Sequence, residues 1–356
     1  LQRFGSNRCC LASGPPGLVT MKAFDFYPTF FCLFVTLSLA VGISSNASAQ
    51  TPSGFELLGR GVNYGNMLEG QTEGDWGVRF KVRFPRLVTD AGFDHVRLAV
   101  RWSALMADTA PYQIDSAFLK RVRHVVDANL EVGLKVVLNV HHFDQLYESP
   151  DAQRERFLAL WRQLAGEFSA ADDHLILEIL NEPHANLGAD EWNPLLVDAL
   201  NLIRKQHPER WVVVGPPDWN GIDGLPKLVL PQNDRHLIVT VHYYLPFDFT
   251  HQGANWVTPV RPTGVKWTGT DAERAAIDRD MQTVSEWAKE NRRPIYVGEF
   301  GAYERADMES RAAWTAAVRQ SCEARQFAWA YWELAAGFGI LDKGNFQWKK
   351  PLTSAL

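Results

Sequence analysis

The feature that most restricts the fold is an alternation repeated eight times after Gly59: a short apolar run ending in polar residues, then a longer stretch compatible with a helix. The strand-like runs are 57–63, 95–100, 134–140, 175–180, 211–215, 237–242, 295–298 and 328–332. They lack helical spacing and are apolar on both faces, the pattern of parallel strands covered on each side. Between them lie helix candidates such as 118–129, 152–168, 192–206, 271–290 and 307–325, charged on one face and apolar on the other. Eight such units in roughly 250 residues predict a single closed (β/α)8 TIM barrel. A doubly wound open sheet fits less well, because no Gly-rich phosphate turn follows the first strand.

In such a barrel the reactive groups sit at the carboxyl ends of the strands. The segment 174–184 (HLILEILNEPH) is a buried strand that ends in Asn181-Glu182-Pro183, where proline stops the ladder. A carboxylate at the mouth of a buried strand is expensive unless it is paired or has work to do. A second one, Glu299, ends the apolar run in 294–301 (PIYVGEFG). Polar residues close the other strands too: Asn63 and Tyr64, Arg97, His141 and His142, His242 and Tyr244, and Trp332 with Glu333. Any one could be a satisfied core residue. Seven strands placing polar groups on one rim by accident is a much poorer account.

Two glutamates at strand ends are the pair that glycosidic cleavage through an oxocarbenium-like state requires. One protonates the departing oxygen and the other supplies negative charge at the anomeric carbon. Arg97 close to Glu299 is expected to lower that carboxyl's pKa, and apolar walls with the Glu299 charge to raise Glu182. A covalent glycosyl ester on Glu299 predicts carboxyl groups about 5–5.5 Å apart, against about 6.5–9.5 Å for an inverting enzyme. Glu178 shares the face of Glu182 two layers deeper, which suggests a structural partner for Arg97 or a histidine. Glu333 should face away from the site, and Asp144 could bind a sugar hydroxyl or cap a turn.

Thirteen tryptophans matter because a flat apolar ring stacks on sugar faces. Trp219, Trp256 and Trp267 lie on loops after strands five and six, and two of the three are expected to line a cleft. A net charge of −5 with 22% charged residues offers no basic stripe for nucleic acid. Met21-Lys22, the apolar run 30–41 and Ala47-Ser48-Ala49 read as a secretory signal over 21–49, cut before Gln50, with 1–20 an upstream non-native leader and 50–356 the catalytic domain. The apolar run is too short for an ordinary membrane span. A secreted or periplasmic monomer with no membrane attachment after cleavage is therefore expected. Cys322 is the one cysteine after residue 49, and the sequence has no metal-ligand spacing, so no metal and no cofactor are expected. No linker to an appended module follows strand eight.

Together, Asn181-Glu182-Pro183, the Glu299 motif 297–301 (VGEFG), Arg97, His141-His142, His242-x-Tyr244 and Trp332 resemble glycoside hydrolase family 5, the cellulase-type retaining β-glycanases, over residues 55–356. The resemblance implies that Glu182 is the general acid/base and Glu299 the nucleophile. It implies that Asn181 bonds the sugar 2-hydroxyl, that Arg97 and Tyr244 hold the nucleophile, and that His242 neighbours the acid/base. His141, His142 and Trp332 would shape the subsite where the ring distorts, and Tyr64, within Asn63-Tyr64-Gly65-Asn66, would contact substrate. The implied substrate is a β-glucan cut internally at β-1,4 bonds, with mannan, xyloglucan or mixed-linkage glucan as alternatives. From a different class, a non-catalytic sugar-binding barrel would replace one of the two glutamates, and both are present.

Overall fold

The computed structural model describes residues 51–356 together with positions 16–18 and 23, and the unit Ala49–Leu356 is considered by itself. The expected signal segment, its cleavage site, and Cys9, Cys10 and Cys32 lie outside the described residues.

Eight parallel strands close into a barrel in chain order: β1 Arg60–Leu68, β2 His95–Val100, β3 Lys135–Asn139, β4 Leu175–Glu178, β5 Val212–Val214, β6 Leu237–Tyr243, β7 Ile295–Phe300 and β8 Ala328–Tyr331. The helices are α1 Gly54–Leu58, α2 Phe84–Asp90, α3 Ser116–Leu130, α4 Asp144–Glu148, α5 Pro150–Glu167, α6 Ala189–Gln206, α7 Phe247–Thr250, α8 Asp271–Asn291, α9 Met308–Ala324 and α10 Lys350–Thr353. The expected single (β/α)8 barrel is the observed fold. Residues 57 and 58, read from sequence as strand, instead end α1, which starts with a Ser53/Glu56 capping box. The polypeptide then turns and β1 runs to Leu68, further than expected.

Two apolar layers set the site's position. Inside the barrel, Val137, Ile176, Val213, Ile238, Tyr296, Ala328 and Ala330 fill the lower half, with Leu58 of α1 in the same cluster. A larger layer lies between strands and helices. Where strands leave the sheet their carbonyls lose ladder partners, and buried tryptophans supply them. Trp102 Nε1 donates to Asn139 C=O, Trp161 to Ile179, Trp192 to Gly215 and Trp314 to Leu245, at 2.9–3.2 Å. Much of the tryptophan content is thus scaffold that fixes the strand ends carrying the polar residues.

Candidate active site

Arg97 on β2 is the centre of the upper barrel and has no solvent exposure. A guanidinium has five N–H donors, and here each has a partner. Nε and Nη2 form a bidentate pair with Glu178, both bonds 2.7 Å; Nη2 also donates to Asn181 Oδ1 at 2.7 Å; Nη1 donates to Asn63 Oδ1 at 2.9 Å and to Glu299 Oε1 at 2.6 Å. Asn63 is itself fixed by donating to Gly298 C=O at 2.9 Å. Because Arg97 occupies Asn181 Oδ1, the amide's Nδ2 is left without a protein partner among the described residues. Tyr147 OH holds the Asn181 carbonyl at 2.7 Å.

Glu299 lies within β7, not just beyond it, and its second oxygen accepts from Tyr244 OH at 2.9 Å. Across the barrel mouth Glu182 leaves the sheet with a left-handed backbone, φ 44°. Its Oε1 lies 2.7 Å from His242 Nδ1, which is also 3.7 Å from Glu299 Oε2. One carboxylate oxygen from each glutamate and a ring nitrogen of His242 all lie within 4.8 Å of one another. The Asn220 amide is satisfied at both ends when Nδ2 donates to Pro216 C=O at 3.0 Å and Oδ1 accepts from Glu182 N–H at 3.3 Å. That oxygen then stands 3.4 Å from His242 Nε2.

The expected division of pKa between the glutamates is reversed. Burial pushes both upward, but the hydrogen bond and charge of His242, with Arg97, outweigh it at Glu182 and hold that group below the ordinary carboxylate value. At Glu299 burial prevails over His242 and Arg97, and the carboxyl lies above it. The physical difference is the His242 hydrogen bond, which Glu182 has and Glu299 lacks; Arg97 meanwhile gives two bonds to Glu178, as the position of Glu178 on β4 suggested, and one to Glu299. Tyr244 is raised by burial and by Glu299, so it remains a hydroxyl donor.

The aromatic residues divide. His141 stacks on Trp332 with centroids 5.7 Å apart and planes at 10°. Gly65 on β1 admits that indole, since a Cβ there would come within 2.9 Å of it. Trp219 is 56% exposed and lies flat on His184, centroids 3.4 Å apart; Trp256 is equally exposed and stands edge-on to Tyr303. Two sequence-based assignments are corrected. Trp267 is buried, donates its backbone N–H to Ser310 and lies beneath Arg274, so it packs a loop against α9 and does not line a cleft. Tyr64 is also fully buried; alternation along β1 turns it to the helix side, where it meets Phe80 and Phe84 and donates to Asn129. Glu333 is fully buried and accepts backbone N–H groups from Ala335, Ala336 and Phe338. Asp144 begins α4 and pairs with Arg101.

Two residues at the rim were missed. Trp76, 43% exposed, stands edge-on to His142. Glu69, just past β1, is buried beneath His141 and His142, with Oε1 3.4 and 3.6 Å from their Nε2 atoms. These three could hold a metal by position. The tautomer of His141 argues otherwise: Asn139 Oδ1 is taken by Val100 N–H, so its Nδ2 donates to His141 Nδ1 and the proton stays on Nε2, facing Glu69. The cluster therefore reads as a buried polar floor, in which Glu69 Oε1 lies near both rings without a hydrogen bond of its own.

A family model described as cellulase (glycosyl hydrolase family 5) matches residues 60–337. Endoglucanase H of Acetivibrio thermocellus is 35% identical over 84% of this chain and 32% of its own length. The cellulase/esterase CelE of the same organism is 28% identical over 82% and 38%. The chain thus spans about a third of the length of these two relatives. Among solved structures, a hyperthermophilic endo-beta-1,4-glucanase in complex with substrate superposes with a TM-score of 0.83 at 46% identity, over 85% of this chain and 99% of that one. Thermotoga maritima Cel5A in complex with mannotriose gives 0.83 at 44%, over 85% and 100%. With the family model covering most of the chain and these structures matched nearly end to end, the chain belongs to the cellulase family, glycosyl hydrolase family 5.

Proposed function

We propose that this chain is a retaining endo-β-1,4-glucanase, with Glu182 as general acid/base and Glu299 as nucleophile. The observation that carries the reading is the approach of the two carboxylates: an oxygen of each lies within 4.8 Å of the other. That close approach suits attack and protonation across one anomeric centre, as the retaining reaction needs. In the first step Glu299 attacks the anomeric carbon while a proton held between Glu182 and His242 goes to the departing oxygen. In the second, Glu182 takes a proton from water as the ester is cleaved. Arg97 and Tyr244 fix the nucleophile, and the unpartnered Asn181 amide is available to a sugar 2-hydroxyl. Trp332, Trp219, Trp256 and Trp76 supply stacking faces along the rim, and His141 and His142 the polar floor.

One 46% identical solved structure is an endo-beta-1,4-glucanase in complex with substrate, which supports β-1,4-glucan as first choice. The mannotriose complex of Thermotoga maritima Cel5A favours mannan as a second substrate. A polymer too large to enter a cell fits an exported monomer, processed before Gln50; N-terminal sequencing of the mature protein tests this. Reducing-end release from carboxymethylcellulose, mixed-linkage glucan and mannan should fall by orders of magnitude in Glu182→Gln and Glu299→Gln. Equal activity in wild type and both variants would remove the assignment.

A further inference from the structure

We propose that Asn220 is a positioning residue that fixes the tautomer of His242 and so keeps a transferable proton at Glu182. This rests on the acid/base role proposed for Glu182. Asn220 is fully buried, in the loop after β5, and ends a run of three left-handed residues, Asp218, Trp219 and Asn220, with φ of 62°, 62° and 53°. Asparagine tolerates that conformation better than most side chains. The loop is anchored on both sides of the site: Trp219 N–H donates to Pro183 C=O at 3.1 Å, and Asn220 C=O accepts from His242 N–H at 2.9 Å. Gly215 makes room for the amide, since a Cβ there would come within 2.1 Å of it.

The amide has a defined orientation. Pro216 C=O needs a donor and Glu182 N–H needs an acceptor, so Nδ2 faces the first and Oδ1 the second. An amide oxygen cannot donate, and this one lies 3.4 Å from His242 Nε2. The ring nitrogen facing it must therefore carry hydrogen. The variable position is then Nδ1, 2.7 Å from Glu182 Oε1. Two forms satisfy that contact: an imidazolium donating to a carboxylate, or a neutral ring accepting from a carboxylic acid. They differ in where one proton lies along a single bond, and both contain it. The other neutral tautomer, with hydrogen on Nδ1 and a lone pair on Nε2, would donate to an ionised Glu182 and leave the pair one proton short. Asn220 disfavours that form by setting lone pair against lone pair.

In the reaction the shared proton passes to the departing glycosidic oxygen, leaving Glu182 ionised and His242 neutral with hydrogen on Nε2. The pair regains it from the water that cleaves the glycosyl ester, so no proton is gained or lost over a turnover. Loss of Asn220 should therefore harm reactions in proportion to their need for leaving-group protonation. A purely structural role would harm all substrates alike.

The test compares kcat/KM on cellotetraose, whose leaving sugar needs a proton, with dinitrophenyl β-cellobioside, whose leaving group does not. Asn220→Gly, which accepts the left-handed backbone, should lose about 10- to 100-fold on the first and less than about threefold on the second, within the range of general acid catalysis. Asn220→Asp keeps an acceptor toward Nε2 and should recover most of the cellotetraose activity. The ¹⁵N signals of the His242 ring, assigned by His242→Asn, should show hydrogen on Nε2 in wild type and Asn220→Asp and a changed tautomer in Asn220→Gly. Equal losses on both substrates, failure of Asn220→Asp to recover activity, or unchanged ring signals in Asn220→Gly would overturn the proposal. If Asn220→Gly does not fold, Asn220→Asp decides, because it removes the donor to Pro216 and keeps the acceptor. Glu182→Gln separates the two levels: should it lose both substrates equally, the acid/base assignment itself fails.

Discussion

Glu178→Gln tests the claim that Arg97 is a shared cation. The wild-type guanidinium gives Glu178 two bonds of 2.7 Å and Glu299 one of 2.6 Å, and all three side chains are buried or nearly so. Carboxylates on two edges of one guanidinium are roughly 6 Å apart, and at an effective dielectric near 20 their repulsion is about 3 kcal/mol. Removing the Glu178 charge while leaving Arg97 in place should lower the Glu299 pKa, because that repulsion is lost. Glu299 must be ionised to attack, and its carboxyl is raised in the folded protein. The acid limb of kcat/KM should therefore move to lower pH. Dinitrophenyl β-cellobioside isolates the nucleophile, because its leaving group needs no acid, and kcat/KM reports the free enzyme. The same change should cost about 3 kcal/mol of stability, since a glutamine turns one donor toward the guanidinium in place of an acceptor. An acid limb that stays put or moves upward would refute the shared-cation account, even in a variant that folds well.

The two exposed loop tryptophans and the buried one should respond differently. Trp219→Ala removes a stacking face worth about 1 kcal/mol, so kcat/KM on long oligosaccharides should fall about fivefold with thermal stability nearly unchanged. Trp267→Ala should lower stability by about 3–5 kcal/mol in urea titration, while the folded fraction keeps its kcat. Burial pushes Glu333 up to about 8 from 4.5 in spite of its three backbone donors. Its contribution to stability is thus fully present below about 4.5 and is lost as pH rises through about 8. Glu333→Gln should gain stability relative to wild type between pH 5 and pH 9, read from melting curves, and a constant difference across that range would contradict the shift.

What the sequence made legible is what burial alone dictates. Parallel strands covered on both faces appear as apolar runs, and 95–100 coincides with β2 to the residue. Where burial and pairing part, the reading slips: Ile179 and Leu180 are buried beyond the end of β4, so 175–180 overran the sheet. Leu57 and Leu58 are apolar because α1 packs against the lower barrel, not because they are strand. Tyr64 was recoverable. The alternation that placed Glu178 below Glu182 also turns Tyr64 outward once Asn63 faces in. Trp267 and Trp219 are chemically alike, and only tertiary contacts made far along the chain separate them. Asn220 carried no such signal, since its importance lies in which end of its amide faces which neighbour.

The arrangement also explains how two glutamates could differ in protonation without a separate cation for each. Arg97 has spent its five donors, and its charge is divided between Glu178 and Glu299. It cannot by itself make Glu299 a strong carboxylate and Glu182 a strong acid, as the simpler picture requires. The distinction has to come from the other side of the mouth, where Glu182 is bonded to His242 and Glu299 to Tyr244. The His242 ring nitrogen can either donate or accept on its bond to Glu182, whereas a buried tyrosine hydroxyl cannot accept a second proton or easily give up its own. One glutamate is thus coupled to a proton reservoir and the other to a fixed donor. Exchanging the neighbours, not the glutamates, is the change that should most blur their roles.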